Sequence, residues 1–211
     1  MIRKGMISLL ALVALCGLRA QDMASVFTAM PNQYIPQLED AWRKGLVELY
    51  RSGKEARLKN TMNGYSTLLN LTDDYLCLRT TDRSVVEMKL LPLVNNTFVV
   101  CMVTTVEGPV ADSRIAFFTT DWASLPKADL LSMPEGTWFI KEGAETDEAY
   151  PELKVSLDMD LFRYQLSATE NTLSITYTTP LYLEGKTKER LQPLLQGEPL
   201  CLRWQHGHFR Q

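Results

Sequence analysis

The sequence predicts an α+β protein with antiparallel sheets, helices on one face, and two tandem helix-plus-meander halves. An amphipathic helix pattern within residues 30–54 is followed by strand-like runs in which apolar and polar residues alternate. Short polar turns separate these runs, so neighbouring strands must be antiparallel. Strands and short helices return after residue 126. We therefore expect one half at 21–125 and a second at 126–211, with one continuous domain as the alternative.

The first twenty residues are typical of a secretory signal peptide, and residues 1–20 are excluded from the predicted fold. Two basic residues precede an apolar run of 11 residues at 6–16, which is too short to cross a bilayer. We expect cleavage after Ala20 and an exported protein, either periplasmic or associated with the outer envelope. A lipid anchor at Cys16 is the alternative, disfavoured because the preceding Leu15 is not small.

The composition of the exported chain argues against several classes of function. Removal of residues 1–20 lowers Lys and Arg from 22 to 19 against 25 acidic residues, which gives a net charge of −6. Without a basic patch, nucleic acid is not an expected partner. No other apolar run has transmembrane length, so we expect no transmembrane helix in the mature chain. The sequence contains no glycine-rich phosphate loop, and we expect no cofactor.

The first helix is predicted to begin near Pro36, which suits a first helical turn, and to end at Gly53. Its apolar residues follow a stripe at helical spacing, and we expect this stripe to pack on the sheet. The stripe consists of Leu38, Ala41, Trp42, Leu46, Leu49 and Tyr50. The charged residues outside the stripe are Glu39, Arg43 and Lys44.

The strands that follow are predicted to form a meander packed on this helix. They correspond to residues 65–71, 75–80, 84–91, 96–106 and 113–120. In the second half we expect a short helix at 126–132, a solvated acidic loop at 141–152, further strands, a helix within 186–197 limited by Pro193, and one last strand that contains the sequence PLCLRWQHGHF.

Residues 78–93 and 166–181 resemble each other, since both open with Leu, pass through a polar cluster and close with Pro-Leu. Identical letters align at an offset of 88, but the apolar faces after the turn align at an offset of 87. A one-residue slip moves every side chain to the opposite face of a sheet. The faces therefore agree only if the second turn is one residue shorter. A diverged duplication and two unrelated hairpins both remain open.

The exported chain has three cysteines, Cys77, Cys101 and Cys201, each in a strand-like apolar setting. We expect all three to be buried small hydrophobic residues. In the predicted meander Cys77 and Cys101 flank the strand between them, so they lie two strand spacings apart, roughly 9–10 Å. This is beyond disulfide range, and we predict no bond between them.

Two pairs of residues have a spacing that could support chemistry. His206 and His208 alternate on the predicted last strand and would share one face, but the motif supplies no third metal ligand, so we expect no metal. Asp158 and Asp160 would also share a face, as the paired carboxylates of a hydrolase do. They lie in a polar stretch beside the acidic loop, and we favour solvated carboxylates.

With no convergent catalytic set, we expect no enzyme and no catalytic residues, but a non-enzymatic binding or interaction module of the cell envelope. Its partner would be an envelope protein or a glycan. The candidate binding surface is the solvent face of the strands, opposite the apolar positions. It consists of Tyr75, Arg79, Glu87, Lys89, Arg163 and Gln165. The alternatives are a hydrolase with a non-local carboxylate site and a structural component of envelope assembly.

Several stretches, taken in order, resemble one known family. They are FTAMPNQYIPQL, LTDDYLCLRTTDRSVVEMKLLP, VTTVEGPVADSRIAFFTTDW and the closing RWQHGHF. The chain is similar over nearly all of its mature length to exported proteins of Bacteroides and relatives known as the domain of unknown function DUF 3256. The resemblance implies an envelope or extracellular location and brings no catalytic residues. At the level of fold, the predicted units resemble beta-lactamase-inhibitor-like and PepSY-like domains.

Overall fold

A computed structural model describes residues 22–211 of the chain. Within this range the protein has four α-helices and eleven strands in two antiparallel sheets, which confirms the α+β class. The predicted signal peptide and the alternative lipid anchor at Cys16 lie outside the described residues. Among the helices of residues 22–211, none is long and apolar enough to cross a membrane.

The helices and strands follow the chain in a simple order. The helices are α1 (Met23–Ala29), α2 (Asp40–Arg51), α3 (Tyr150–Ser156) and α4 (Gly185–Leu191). The larger sheet has sequential order β1-β2-β3-β4-β5-β6-β7, with β1 Arg57–Lys59, β2 Tyr65–Leu71, β3 Tyr75–Thr81, β4 Ser84–Pro92, β5 Phe98–Glu107, β6 Ala111–Thr119 and β7 Ser124–Leu125. The smaller sheet has order β11-β10-β9-β8, with β8 Phe162–Leu166, β9 Thr172–Tyr177, β10 Leu200–Gln205 and β11 His208–Arg210.

The predicted first helix is present as α2, but it begins at Asp40 rather than near Pro36. Ile35 precedes a proline and is held out of the helical region, with φ −136° and ψ 79°, so the chain turns before the helix begins. The end is as predicted, because Gly53 adopts φ 70° just past the last turn. The separate helix α1, with Asp22 as its N-cap, was not predicted.

The larger sheet is buried on both faces. One face packs against α1 and α2 through Leu76, Leu78 and Met88. The other face packs against the smaller sheet, and both sheets contribute aromatic and aliphatic residues to this second core. As a result β4 is buried continuously from Val86 to Leu91. The alternating sequence of β4 predicts one apolar and one polar face, and both faces are inside the protein.

The second half differs from the prediction in detail. The helix expected at 126–132 is a single 3₁₀ turn at Lys127–Asp129. The prediction of a solvated loop at 141–152 is wrong at the C-terminal end of that range, because α3 begins at Tyr150 with a proline in its first turn. Both α3 and α4 contribute to a separate small apolar cluster. For these two helices, packing on one sheet face stays a prediction, as does the division into 21–125 and 126–211.

The two similar hairpins show the expected difference in turn length. Leu78 lies opposite Val86 with seven residues between them, and Leu166 lies opposite Leu173 with six between them. The second connection is thus one residue shorter between equivalent apolar pairs. This confirms the prediction from the faces, while the origin by duplication stays a prediction.

Candidate functional site

The predicted binding surface is wrong for three of its six residues, because Tyr75, Glu87 and Lys89 are buried. The smaller sheet covers the face on which they lie, although the alternation of apolar and polar residues predicts that this face is exposed to solvent. Glu87 is 9% exposed and Lys89 only 1%. These side chains hold the two sheets together and are not available to a partner.

The Glu87 carboxylate connects the two sheets. The Tyr75 hydroxyl donates to Glu87 Oε1 at 2.6 Å, and the backbone N–H of Leu166 on β8 faces the same carboxylate. Burial raises the pKa of Glu87 above its ordinary value, and the Tyr75 hydroxyl and the Leu166 N–H oppose this effect in part. Burial also raises the pKa of Tyr75. The buried acid thus lies beside one outward-facing N–H of an edge strand.

Lys89 makes a second link between the two sheets. Its ammonium lies 2.9 Å from Asp74 Oδ2 and donates to the Ala168 carbonyl at 3.3 Å. Ala168 belongs to the β8–β9 loop, so this contact holds the loop against the larger sheet. A buried ammonium needs such partners because the loss of hydration is otherwise uncompensated.

The other three predicted surface residues, Arg79, Arg163 and Gln165, are exposed. Arg163 forms an ion pair with Glu107 at 3.0 Å. Gln165 and Tyr75 line a shallow cleft of about 390 Å³ beside the β8–β9 hairpin. The six residues therefore do not form one continuous exposed surface.

The two histidines do not share a strand face, and that prediction is wrong. The last segment is a hairpin in which His206 and Gly207 form the turn, with φ 51° and 80°, and only His208 belongs to β11. The Nδ1 of His208 lies 3.0 Å from the Asp129 carbonyl oxygen. Among residues 22–211, no group of three His, Cys, Asp or Glu side chains could hold a metal ion.

The two carboxylates do not share a strand face either. Asp158 and Asp160 lie in the connection between α3 and β8. Asp160 Oδ1 accepts a hydrogen bond from the backbone N–H of Gly136 at 3.1 Å, so it has a structural contact. The hydrolase alternative was motivated by a shared strand face for Asp158 and Asp160, and the connection between α3 and β8 has no such face.

The three cysteines among residues 22–211 are free, as predicted for Cys77 and Cys101. These two lie on β3 and β5, on either side of β4, so the predicted strand order is confirmed. Cys101 is buried and Cys77 is half-buried. Cys201 is exposed on the outer face of β10, so its predicted burial is wrong.

The best-formed candidate site is a groove along the free edge of β6. β7 pairs with β6 only at Phe117 and Phe118, and it stops where Pro126 follows, which lacks an N–H for further pairing. No strand of residues 22–211 pairs with this edge along residues 112–116. Pro126 is the feature of the sequence that indicates where this pairing ends, whereas β7 itself is not among the predicted strands.

The alternation of strand hydrogen bonds identifies the free backbone groups of this edge. The N–H of Thr119 donates to Ala123 across the β6–β7 pair, and the carbonyl of Ala111 accepts from the Thr178 hydroxyl at 2.8 Å. Odd-numbered residues of β6 therefore direct their backbone groups outward. Between the two satisfied ends, the N–H and C=O groups of Ser113 and Ile115 face the groove.

The groove has a volume of about 740 Å³ and an apolar floor with charged rims. Ile115, Phe117, Phe162 and Tyr164 contribute the floor. Asp112, Arg114, Lys127 and Asp160 supply charges of both signs, and the exposed Met133 lies at the rim with Pro134. We refer to these residues, together with Ser113, Ala116, Ser124 and Leu125, as the β6 groove.

The β6 groove is suited to binding an extended segment. A row of free backbone groups can hydrogen-bond a further strand, and an adjoining apolar hollow can receive alternate side chains of that strand. The groove holds no histidine and no cysteine, and its Ser113 hydroxyl is 2.8 Å from the Thr105 hydroxyl and accepts the Tyr164 N–H at 3.1 Å. Its serine is therefore engaged in structural hydrogen bonds.

Comparison with known proteins supports the family resemblance. The family described as protein of unknown function (DUF3256) matches residues 15–209. The solved structure of a domain of an uncharacterized protein from Porphyromonas gingivalis W83 is similar, with a TM-score of 0.81 and 32% sequence identity. The match covers 89% of this chain and 96% of that one. No curated protein matches the chain significantly. The likeness to beta-lactamase-inhibitor-like and PepSY-like domains stays a prediction.

Proposed function

The chain belongs to the family of proteins of unknown function DUF3256, and we propose that it is an exported, non-enzymatic binding module of the cell envelope. The β6 groove takes an extended peptide segment of another envelope protein. The single observation that carries this proposal is the free strand edge at residues 112–116 beside an apolar groove.

The length of the edge fits a short peptide. Five residues of strand span roughly 17 Å, and this window is bounded by the Thr178 contact at one end and by β7 at the other. A peptide of about five residues would form main-chain hydrogen bonds to Ser113 and Ile115. We expect the backbone to supply affinity and the side chains that enter the groove to supply selectivity.

The contrast with the β8 edge, which is covered by polar side chains, supports β6 as the edge that binds the peptide. The outward N–H of Tyr164 donates to the Ser113 hydroxyl, and the outward N–H of Leu166 faces the Glu87 carboxylate. Free edges invite unwanted pairing, and proteins usually cover or blunt them. This chain places two buried polar side chains, Ser113 and Glu87, against the β8 edge while it leaves the middle of β6 open.

The experiment is a selection of peptides from a random library displayed on phage, with residues 21–211 as the target. Selected peptides are then synthesised and their affinities measured by calorimetry. A peptide bound as a strand directs every second N–H toward β6, so N-methylation at those residues removes binding while methylation at the residues between preserves it. Position-independent effects of methylation, or failure to select any peptide, would contradict the proposal.

A matched pair of substitutions locates the binding site. Met133 and Met62 are both exposed methionines, but only Met133 lines the β6 groove. We expect Met133→Asp to lower the affinity for selected peptides about tenfold because an apolar contact at the rim is lost. Met62→Asp should leave the affinity unchanged, and equal effects of both substitutions would place the peptide elsewhere.

A further inference from the structure

We propose that a second cleft, beside the C-terminal β10–β11 hairpin, binds a neutral saccharide. The cleft has a volume of about 870 Å³ and shares no lining residue with the β6 groove. An exposed tryptophan, Trp138, lines it together with a set of polar side chains. These are Asp129, Ser132, His206, His208, Arg210 and Gln211. The inference stands independently of the proposed peptide binding.

Trp138 is held outward by a rigid turn. It belongs to the 3₁₀ turn Gly136–Phe139, in which Phe139 is buried and stacks on Tyr177 at 5.4 Å between ring centroids. Gly136 is fixed by Asp160, and a Cβ added there would lie 2.4 Å from Asp160 Oδ1. With its neighbours anchored, the indole stays 40% exposed at the cleft. An exposed aromatic face on a rigid element suits the apolar C–H face of a sugar ring.

The hairpin side of the cleft is also fixed by contacts with the rest of the protein. The N–H of Phe209 donates to the Leu130 carbonyl at 2.9 Å, and His208 Nδ1 lies 3.0 Å from the Asp129 carbonyl oxygen. These contacts attach the hairpin to the segment that carries Asp129. The hairpin turn then presents His206 at the same cleft. Such a wall offers donors and acceptors at fixed positions for ligand hydroxyl groups.

The charges at the cleft favour a neutral ligand. Asp129 and Arg210 carry opposite charges, so neither sign dominates among the lining side chains. The chain without residues 1–20 has 19 basic and 25 acidic residues, so its overall field repels anions. A single aromatic face with mixed hydrogen-bonding groups and little net charge matches a neutral oligosaccharide better than a phosphate or a nucleotide.

The test is a titration of residues 21–211 with maltohexaose, cellohexaose, xylohexaose and chitohexaose, followed by NMR and calorimetry. At least one of the four should bind, with chemical-shift changes at the Trp138 indole and at residues 206–210. Trp138→Ala should weaken this binding about tenfold. Arg210→Ala, which changes a polar residue of the same cleft, should weaken it as well. Tyr182→Ala, which removes an exposed aromatic outside the cleft, should leave it unchanged.

Three results would overturn this inference. The first is no binding of any of the four neutral oligosaccharides up to about 10 mM, which is weaker than useful recognition. The second is equal binding by the wild-type protein and the Trp138→Ala protein, with both shown by circular dichroism to be folded. Preferential binding of a sulfated hexasaccharide would also contradict the neutral ligand.

Discussion

The Tyr75 hydroxyl and the Glu87 carboxylate form a 2.6 Å hydrogen bond inside the seam between the two sheets. The same carboxylate faces the Leu166 N–H of β8. One ionisable side chain therefore joins two strands of the larger sheet to the edge of the smaller sheet, and its protonation state should affect how tightly the sheets associate.

Glu87→Gln should change the pH dependence of stability. Burial raises the pKa of Glu87 in the folded state, so protonation favours folding. Its stabilising contribution is complete below the unfolded pKa and is lost as pH rises through the raised folded pKa. Glutamine keeps an acceptor and carries no charge. We therefore expect the free energy of unfolding of Glu87→Gln, relative to wild type, to increase from pH 4.5 to pH 8, since the unfolded pKa is about 4.3.

Urea unfolding at several pH values measures this difference. Glu107→Gln provides the control, because Glu107 lies at the exposed end of β5 in a surface ion pair. A pH-independent difference between wild type and Glu87→Gln would show that the carboxyl titrates alike in the folded and unfolded states.

Ser113→Ala should destabilise the protein by about 1–3 kcal/mol. The substitution leaves the Tyr164 N–H without its acceptor and the buried Thr105 hydroxyl without its partner. Chemical denaturation measures the loss. Ser124→Ala is the matched control, since Ser124 is exposed on β7, and its free energy of unfolding should stay near that of wild type. Equal free energies of unfolding for both variants would show that the Ser113 hydroxyl does not stabilise the contact between the two sheets.

Arg43→Met should destabilise the region around α2 by about 2–4 kcal/mol. The Arg43 guanidinium is buried and donates to the carbonyls of Met30 and Leu38 and to the Asn32 side chain. Its loss leaves these acceptors unpaired. Lys44→Met should change little, because Lys44 forms only an exposed pair with Asp40. Thermal unfolding of the two variants provides the comparison.

Gly136→Ala should destabilise the 3₁₀ turn by about 1–3 kcal/mol because it overpacks the site. A Cβ there would lie 2.4 Å from Asp160 Oδ1 and 2.6 Å from the Tyr177 hydroxyl. Gly64→Ala is the control, since the nearest atom to its added Cβ lies at 3.6 Å. Calorimetric melting temperatures would test the expectation, and similar temperatures for both variants would argue against a close contact at Gly136.

The cysteines should react with maleimide in a fixed order. Cys201 is exposed and should label first, the half-buried Cys77 should follow slowly, and the buried Cys101 should label only on unfolding. Mass spectrometry of peptides after timed labelling gives the three rates. Rapid labelling of Cys101 in the native protein would show that the core between the sheets opens readily.

The sequence was sufficient for the local features of the fold. The helical stripe predicted α2, and short polar turns predicted the antiparallel meander. The shift between two apolar faces predicted a shorter connection between Leu166 and Leu173. Each of these follows from spacing within a single segment, which sequence periodicity reports directly.

The errors arose where distant segments cover a face. Alternation in β4 marked Glu87 and Lys89 as solvent-facing, but the smaller sheet, more than seventy residues later in the chain, buries them. The helical stripe leaves Arg43 outside it, yet three acceptors from the segment before α2 enclose its guanidinium. A polar residue that is buried with its partners looks in the sequence like a polar residue on the surface.

The early end of β7 at Pro126 has one more consequence. Free backbone groups are a feature of every polypeptide, so an open edge at residues 112–116 can also pair with another copy of this chain when the protein is concentrated. The short window between the Thr178 contact and β7 restricts such self-association to a few residues. The brevity of the edge thus limits aggregation while it leaves the strand accessible.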